Sequence, residues 1–423
     1  MPTFSPTAGQ GRWAGVCCGA DDDNATGWTF IGERSQKSIA AQTNAVVVGD
    51  ASTDLVPKKQ SDVQSILQGE ECLSEEGKVK EVLKDSVIQL AHLSGLMPTF
   101  RRIFAGRAAI LMFHEIQQDC CSELMTGTSV ALFEYSLDWL RQEGWEIVSF
   151  ETCLERLTTD PGPRRYAVIT FDDGYRDNLA TALPILERNN VPFMMYVPTG
   201  APTRTLQSWW LGLRELFRIG DAVTIDAMGV CFDCPEFHEK VSGLNKVIEW
   251  IHQDYHRVEM LASTFKKAGI SLSALNEAYF LNERELQKLA QHPLASIGGH
   301  TVSHAALSAL DVLSARAEMA DNRCYLEQLL QLPVRHFAYP YGDSKACGPR
   351  EAHLAKEIGF STAVTTRSGQ VSDSKSDRFA LPRVGVGGPF DTRIRFEVRM
   401  SGIQAAAAHM LQMRSFTSSA VER

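Results

Sequence analysis

Ala167-Val-Ile-Thr-Phe-Asp-Asp-Gly-Tyr175 drives an apolar run straight into two carboxylates and a glycine. A short apolar run that ends at turn residues reads as a strand buried on both faces, the kind found in parallel sheets. Its C-terminal end would present Asp172 and Asp173, and in a parallel barrel that end is the catalytic face. Successive strand residues point to opposite sides. A turn containing Gly174 can relax this and let both carboxylates serve one site, one holding a metal and the other taking a proton. The alternative is a solvated Asp-Asp-Gly turn that caps the next helix.

Working outward, the same texture repeats. Strand-like runs fall at Ala108 to Phe113, Glu146 to Ser149, Tyr166 to Phe171, Phe193 to Val197, Ala295 to Ile297, His336 to Tyr339 and Ser361 to Val364. Helical spacing falls between them near 132–142, 179–188, 283–291, 313–330 and 350–358. Strands alternating with helices define an α/β fold, and seven units predict a distorted barrel, (β/α)7, rather than an open sheet. The alternation lapses between Thr199 and Leu281, where helical stretches at 213–218 and 245–267 predict a helical insertion over 201–281. Residues 1–85 are polar, with only 62–67 and 79–83 looking helical, and read as a low-order extension. The domain expected from this pattern runs over 86–400, with 401–423 as a C-terminal helix or tail.

Composition narrows the partners. Formal charge is 42 − 51 = −9 with no dense basic run, so a phosphate-neutralising surface is absent and nucleic acid is not expected. No apolar run reaches the ~18 residues that a membrane helix needs, and the first thirty residues lack the pattern of an export signal. Ten scattered cysteines suit reduced thiols rather than a disulfide scaffold, so the expected location is the cytoplasm. Cys231-x-x-Cys234 has no second pair at zinc-ribbon spacing. Oligomeric state is not encoded legibly.

Ile297-Gly-Gly-His300-Thr-Val-Ser-His304 is the second segment with chemistry in it. Two histidines four apart on a helical turn share a face and can share a metal. Eleven histidines give about 0.3 such pairs by chance, and His252/His256 shows the same spacing in an ordinary amphipathic helix. His300 and His304 differ in following a strand end, as Asp173 does. A carboxylate and two neutral imidazoles leave coordination positions open, as a catalytic metal requires, with zinc the default divalent ion and nickel, cobalt and iron as alternatives. His114 ends the strand Ile110-Leu-Met-Phe113 and is the candidate acid, or else a core histidine. Phe337-Ala-Tyr-Pro-Tyr-Gly342 forms a turn walled by Tyr339 and Tyr341, where a backbone N–H could donate to an oxyanion. Arg383, in Leu381-Pro-Arg-Val384, could orient a carboxylate. Trp209 and Trp210, in the insertion, could stack on a sugar ring or pack in a core.

Taken in order, Thr170-Phe-Asp-Asp-Gly-Tyr175, His300-Thr-Val-Ser-His304, Phe337-Ala-Tyr-Pro-Tyr-Gly342 and Leu381-Pro-Arg383 resemble the polysaccharide deacetylase family, or NodB homology domain, over about residues 105–390. The resemblance implies a metal-dependent hydrolase that removes N-acetyl groups from amino-sugar oligo- or polysaccharides such as chitooligosaccharide or poly-N-acetylglucosamine. By resemblance Asp172 is the base, Asp173, His300 and His304 are the metal ligands, and Tyr341 gives the oxyanion-donating backbone. Leu111-Met-Phe-His114 is similar to the branch acting on poly-N-acetylglucosamine, whose acid histidine precedes the Asp-Asp motif. Two departures stand out: Ala338 occupies a position where many members carry arginine, and only His409 lies near the C-terminus in place of a Leu-x-x-His-Asp motif. Arg383 and His114 are the expected replacements. A glycan-binding barrel without catalysis and a metal-independent small-molecule amidase are the competing readings.

Overall fold

The computed structural model describes residues 95–118, 124, 127–388 and 391–403. The extension over 1–85, its short helical stretches, and the tail with His409 lie outside the described residues, as do Cys17, Cys18, Cys72, Cys120 and Cys121.

Seven parallel strands close a ring: β1 (Ala108–Phe113), β2 (Arg165–Phe171), β3 (Phe193–Val197), β4 (Ala295–Gly299), β5 (His336–Ala338), β6 (Thr362–Ser368) and β7 (Leu381–Gly385). Each pairs with its neighbours in chain order, and β7 returns to β1 with Leu111 opposite Val384. The expected barrel is present, but its membership differs from expectation at one strand. The run expected at Glu146 to Ser149 is a strand at Trp145–Ile147 that pairs only with Arg165 to Ala167 of β2 and stays outside the ring. From Ile169 onward β3 pairs with β2, so the short strand has no room to extend. The ring is completed instead by β7, whose Pro382 lacks the ladder N–H and hides the strand from pattern reading.

The alternation of strand residues separates two cores. Ile110, Val168, Met194, Tyr196, Ala338 and Val364 form one cluster with Phe150, Cys153 and Leu157 of a helix at Phe150–Thr159, while Leu111, Ile169, Met195 and Ala363 face the surrounding helices. These helices include α1 (Val130–Gln142), started by Ser129 accepting from the Leu132 N–H, and a long helix (Val312–Leu330) started by Asp311. The helix expected at 179–188 is split: a π-turn at Asn178–Ala182 precedes an α segment at Leu183–Arg188. Asn178, the first residue of that turn, reaches the β1 end, where its Nδ2 donates to the His114 carbonyl at 2.7 Å.

The insertion has its own core around Leu213, Phe217, Leu244 and Val247. It comprises α2 (Trp209–Ile219), a hairpin of Ala222–Ile225 with Val230–Asp233, α3 (Phe237–Gln253) and shorter helices at Ala262–Lys267 and Leu272–Tyr279. Cys231, exposed, and Cys234, buried, lie on and beside that hairpin. Among the described residues no helix is long and apolar enough to cross a membrane.

Candidate active site

Asp172 continues the register of Tyr166, Val168 and Thr170 on one face of β2, one residue beyond the strand end. It is buried, and Arg383 of β7 grips it with both arms: Nη1 donates to Oδ1 at 2.8 Å and Nη2 to Oδ2 at 2.7 Å. The guanidinium is itself fully buried and is fixed by its Nε donating to the Thr365 carbonyl at 2.8 Å. Burial works to raise the Asp172 carboxyl, but the adjacent Arg383 charge outweighs it and holds the group below the usual carboxylate range.

Asp173 would point away from Asp172 in a regular strand. It does not, because its φ is +70° and Gly174 follows at +74°. An L-residue other than glycine rarely adopts this region. The turn brings Asp173 Oδ1 to 3.4 Å from His300 Nε2 and 3.2 Å from His304 Nε2. Among the described residues these three form the group able to hold a metal ion, their donor atoms within 4.8 Å of one another and all buried. Burial works to raise the Asp173 carboxyl, and the imidazoles of His304 and His300 hold it well below the usual range. Burial pushes His304 down, which favours the neutral form that a metal ligand requires.

The two histidines do not share a helical face as their spacing suggests. Residues 300–306 are irregular, with Thr301 at φ +64° and His304 at +58°, and the loop folds the rings together at 4.9 Å between centroids. What holds this loop is a residue that sequence reading missed. Asn322 accepts from the His300 backbone N–H at 3.0 Å and donates through Nδ2 to the carbonyls of Val197 and Thr301 and to Thr199 Oγ1. Glu318, one turn earlier on Val312–Leu330, accepts from the N–H groups of Val302 and Ser303. The available signal was a polar residue inside the apolar stripe Ala315, Met319, Asn322, Leu326.

His114 lies just beyond β1 with its Nε2 4.0 Å from Asp172 Oδ2, and its side chain is 40% exposed. Tyr341 has φ +60°, its ring centroid lies 4.9 Å from that of His304, and its backbone N–H takes no backbone partner among the described residues. Tyr339 instead faces the core, its hydroxyl donating to the Phe379 carbonyl. Trp209 is 4% exposed and packs against Tyr341 at 6.2 Å, so its ring is covered rather than open to a sugar. Trp210 is partly exposed and stands 4.7 Å from the His304 ring.

A closed parallel barrel with a guanidinium-locked carboxylate, a converging Asp/His/His set and an exposed histidine, all at the strand C-termini, defines a hydrolase-type centre. Residues 159–362 match the family model described as polysaccharide deacetylase. The protein is accordingly a hydrolase of the carbohydrate N-deacetylase class. It is 22% identical over 286 residues to YxkH of Bacillus subtilis (strain 168), whose own assignment as a polysaccharide deacetylase is provisional. That alignment takes in 66% of this chain and 72% of YxkH. Among solved structures, the Streptococcus pyogenes deacetylase PplD in complex with acetate aligns at TM-score 0.45 and 19% identity, over 67% of this chain and 96% of that one. IcaB from Ammonifex degensii aligns at 0.44 and 17%, over 70% and 97%.

Proposed function

We propose that this chain hydrolyses acetamide groups on an amino-sugar oligo- or polysaccharide, releasing acetate, with a divalent ion, zinc by default, held by Asp173, His300 and His304. One observation carries the reading: two adjacent buried carboxylates stand in different electrostatic settings, Asp172 against a guanidinium and Asp173 against two imidazoles. The donor chemistry fits an ion. Among the described residues no hydrogen-bond donor reaches the buried Asp173 Oδ1, and one carboxylate with two imidazoles is a set suited to zinc, nickel, cobalt or iron. When bound, such an ion supplies Lewis acidity toward an acetamide carbonyl and toward water.

The chain's own residues do the rest. Asp172, kept ionised and immobile by Arg383, accepts the proton of the attacking water. The Tyr341 backbone N–H donates to the oxygen that gains charge as the carbonyl carbon becomes tetrahedral. His114, across from Asp172 and open to solvent, gives a proton to the departing amine, so that water and amide become acetate and free amine. The half-exposed rim of His114, Trp210 and Tyr341 is where a sugar would approach.

The test is acetate release from chitopentaose and poly-N-acetylglucosamine by purified protein, with and without chelator and added zinc, beside Asp172→Asn. Chelator-sensitive release that the variant lacks supports the reading and ranks the substrates. No release from zinc-loaded wild type refutes this substrate class.

A further inference from the structure

The insertion helix α2 opens with two tryptophans whose indole N–H groups go to two different loops of the barrel. Trp209 Nε1 donates to the Tyr341 hydroxyl at 2.8 Å, and Trp210 Nε1 donates to the Tyr175 hydroxyl at 2.7 Å. Tyr175 stands two residues after Asp173, and Tyr341 sits on the turn after β5. A single turn of the insertion thus ties down two separate barrel loops.

The two candidate ligand histidines are held in different ways. His300 Nδ1 lies 2.7 Å from the Ala338 carbonyl, the familiar arrangement in which one ring nitrogen donates and leaves Nε2 for a metal. His304 Nδ1 is buried and has no hydrogen-bond partner among the described residues, on a backbone at φ +58°. A ligating imidazole is normally oriented through its second nitrogen. For His304, orientation falls to ring packing: Trp210 at 4.7 Å and 52°, and Tyr341 at 4.9 Å and 70°.

We infer that Trp210 is a positioning residue for His304, the insertion supplying by aromatic packing the orientation that a hydrogen bond supplies to His300. This rests on the metal-site reading above. It makes the insertion a structural part of the metal centre, so that metal affinity depends on a residue that is not itself a ligand.

The experiment titrates metal-free protein with Co(II) and follows its visible absorption, with zinc affinity read by competition. Trp210→Leu is expected to weaken binding by about tenfold or more and to change the Co(II) spectrum, the loss typical of removing a residue that orients a ligand. Phe217→Leu is the control, since Phe217 is buried in the insertion core against Phe232. It is expected to lower Tm while leaving metal affinity near wild type. Tyr175→Phe keeps every ring and frees only the indole edge, so it remains informative even when Trp210→Leu fails to fold, with a smaller loss expected. Unchanged affinity and spectrum in the folded Trp210 and Tyr175 variants would overturn the inference, as would an equal loss in Phe217→Leu. Wild type that binds no metal overturns the metal site itself, and this inference falls with it.

Discussion

Replacing Arg383 with methionine removes a guanidinium that is 0% exposed from a carboxylate whose side chain is 3% exposed. Methionine fills much of the same volume, so the perturbation is chiefly electrostatic: two charge-assisted hydrogen bonds to Asp172 and one to the Thr365 carbonyl disappear. Leaving one member of a buried pair alone costs about 3–5 kcal/mol. At roughly 2–4 °C per kcal/mol for a domain of this size, Tm should fall by about 10 °C. Asp172 lies below the ordinary carboxylate range in the folded state, so the pair's contribution is complete above the unfolded-state value and fades as pH falls through the folded one. Measurement at pH 7 therefore sees all of it. The assay is a double-mutant cycle by urea unfolding with Asp172→Asn, Arg383→Met and both together. Because the neutral amide needs no counter-charge, the double variant should be less destabilised than the sum of the singles, with a coupling of at least about 2 kcal/mol. Additive losses would refute the argument. Deacetylation should fall at least about a hundredfold in Arg383→Met, and Arg383→Lys should restore little, since an ammonium cannot make the two-armed contact.

Asn322→Ala should destabilise the fold by about 2–4 kcal/mol, since it leaves the His300 N–H and the Val197 and Thr301 carbonyls without their partner; a calorimetric scan within 0.5 °C of wild type would contradict this. Asp177 is driven up to about 8 by burial and by the Glu115 charge, against the pull of Arg214 and of the Ile116 and Asn178 backbone N–H groups. Between the ordinary carboxylate range and that value the folded protein keeps a proton that the unfolded chain has released, so stability falls as pH rises through the window. Asp177→Asn should remove that slope, matching wild type near pH 4 and exceeding it at pH 8 by an amount on the order of a few kcal/mol. An equal difference at both pH values in urea titrations would count against it. Gly298→Ala places a Cβ 2.5 Å from Tyr196 Cδ1 and 2.9 Å from the His336 carbonyl oxygen, and should cost about 1–3 kcal/mol, checked by the urea midpoint.

Most barrel strands are legible because burial on both faces leaves continuous apolar runs; Ala108–Phe113 and Phe193–Val197 can be bounded to the residue. β7 is not, because Pro382 interrupts the pattern, and the Trp145–Ile147 run looks like a ring member because periodicity cannot say which edge of β2 is free. Asp172, Asp173, His300, His304 and His114 are nameable from their places at or after apolar runs, and Arg383 from its place in Leu381-Pro-Arg-Val384. Their convergence is another matter. It depends on positive φ at Asp173, Thr301, His304 and Tyr341, which residue types that avoid this region do not announce. Asn322 and the Trp–Tyr pairs are invisible for a related reason, since each acts through a partner distant in sequence.

The family match over 159–362 ends on the first residue of β6 and leaves out β1 and β7, the two strands that meet at the ring's closure, and with them His114 and Arg383. During synthesis every candidate metal ligand has emerged before Leu381, yet at that point β1 has one edge bare and Asp172 has no counter-charge. The guanidinium arrives 211 residues after the carboxylate it grips. Competence is therefore the last property the nascent barrel acquires. Until then the open seam presents an unpaired apolar strand, the kind of edge through which two copies of a chain can exchange β7.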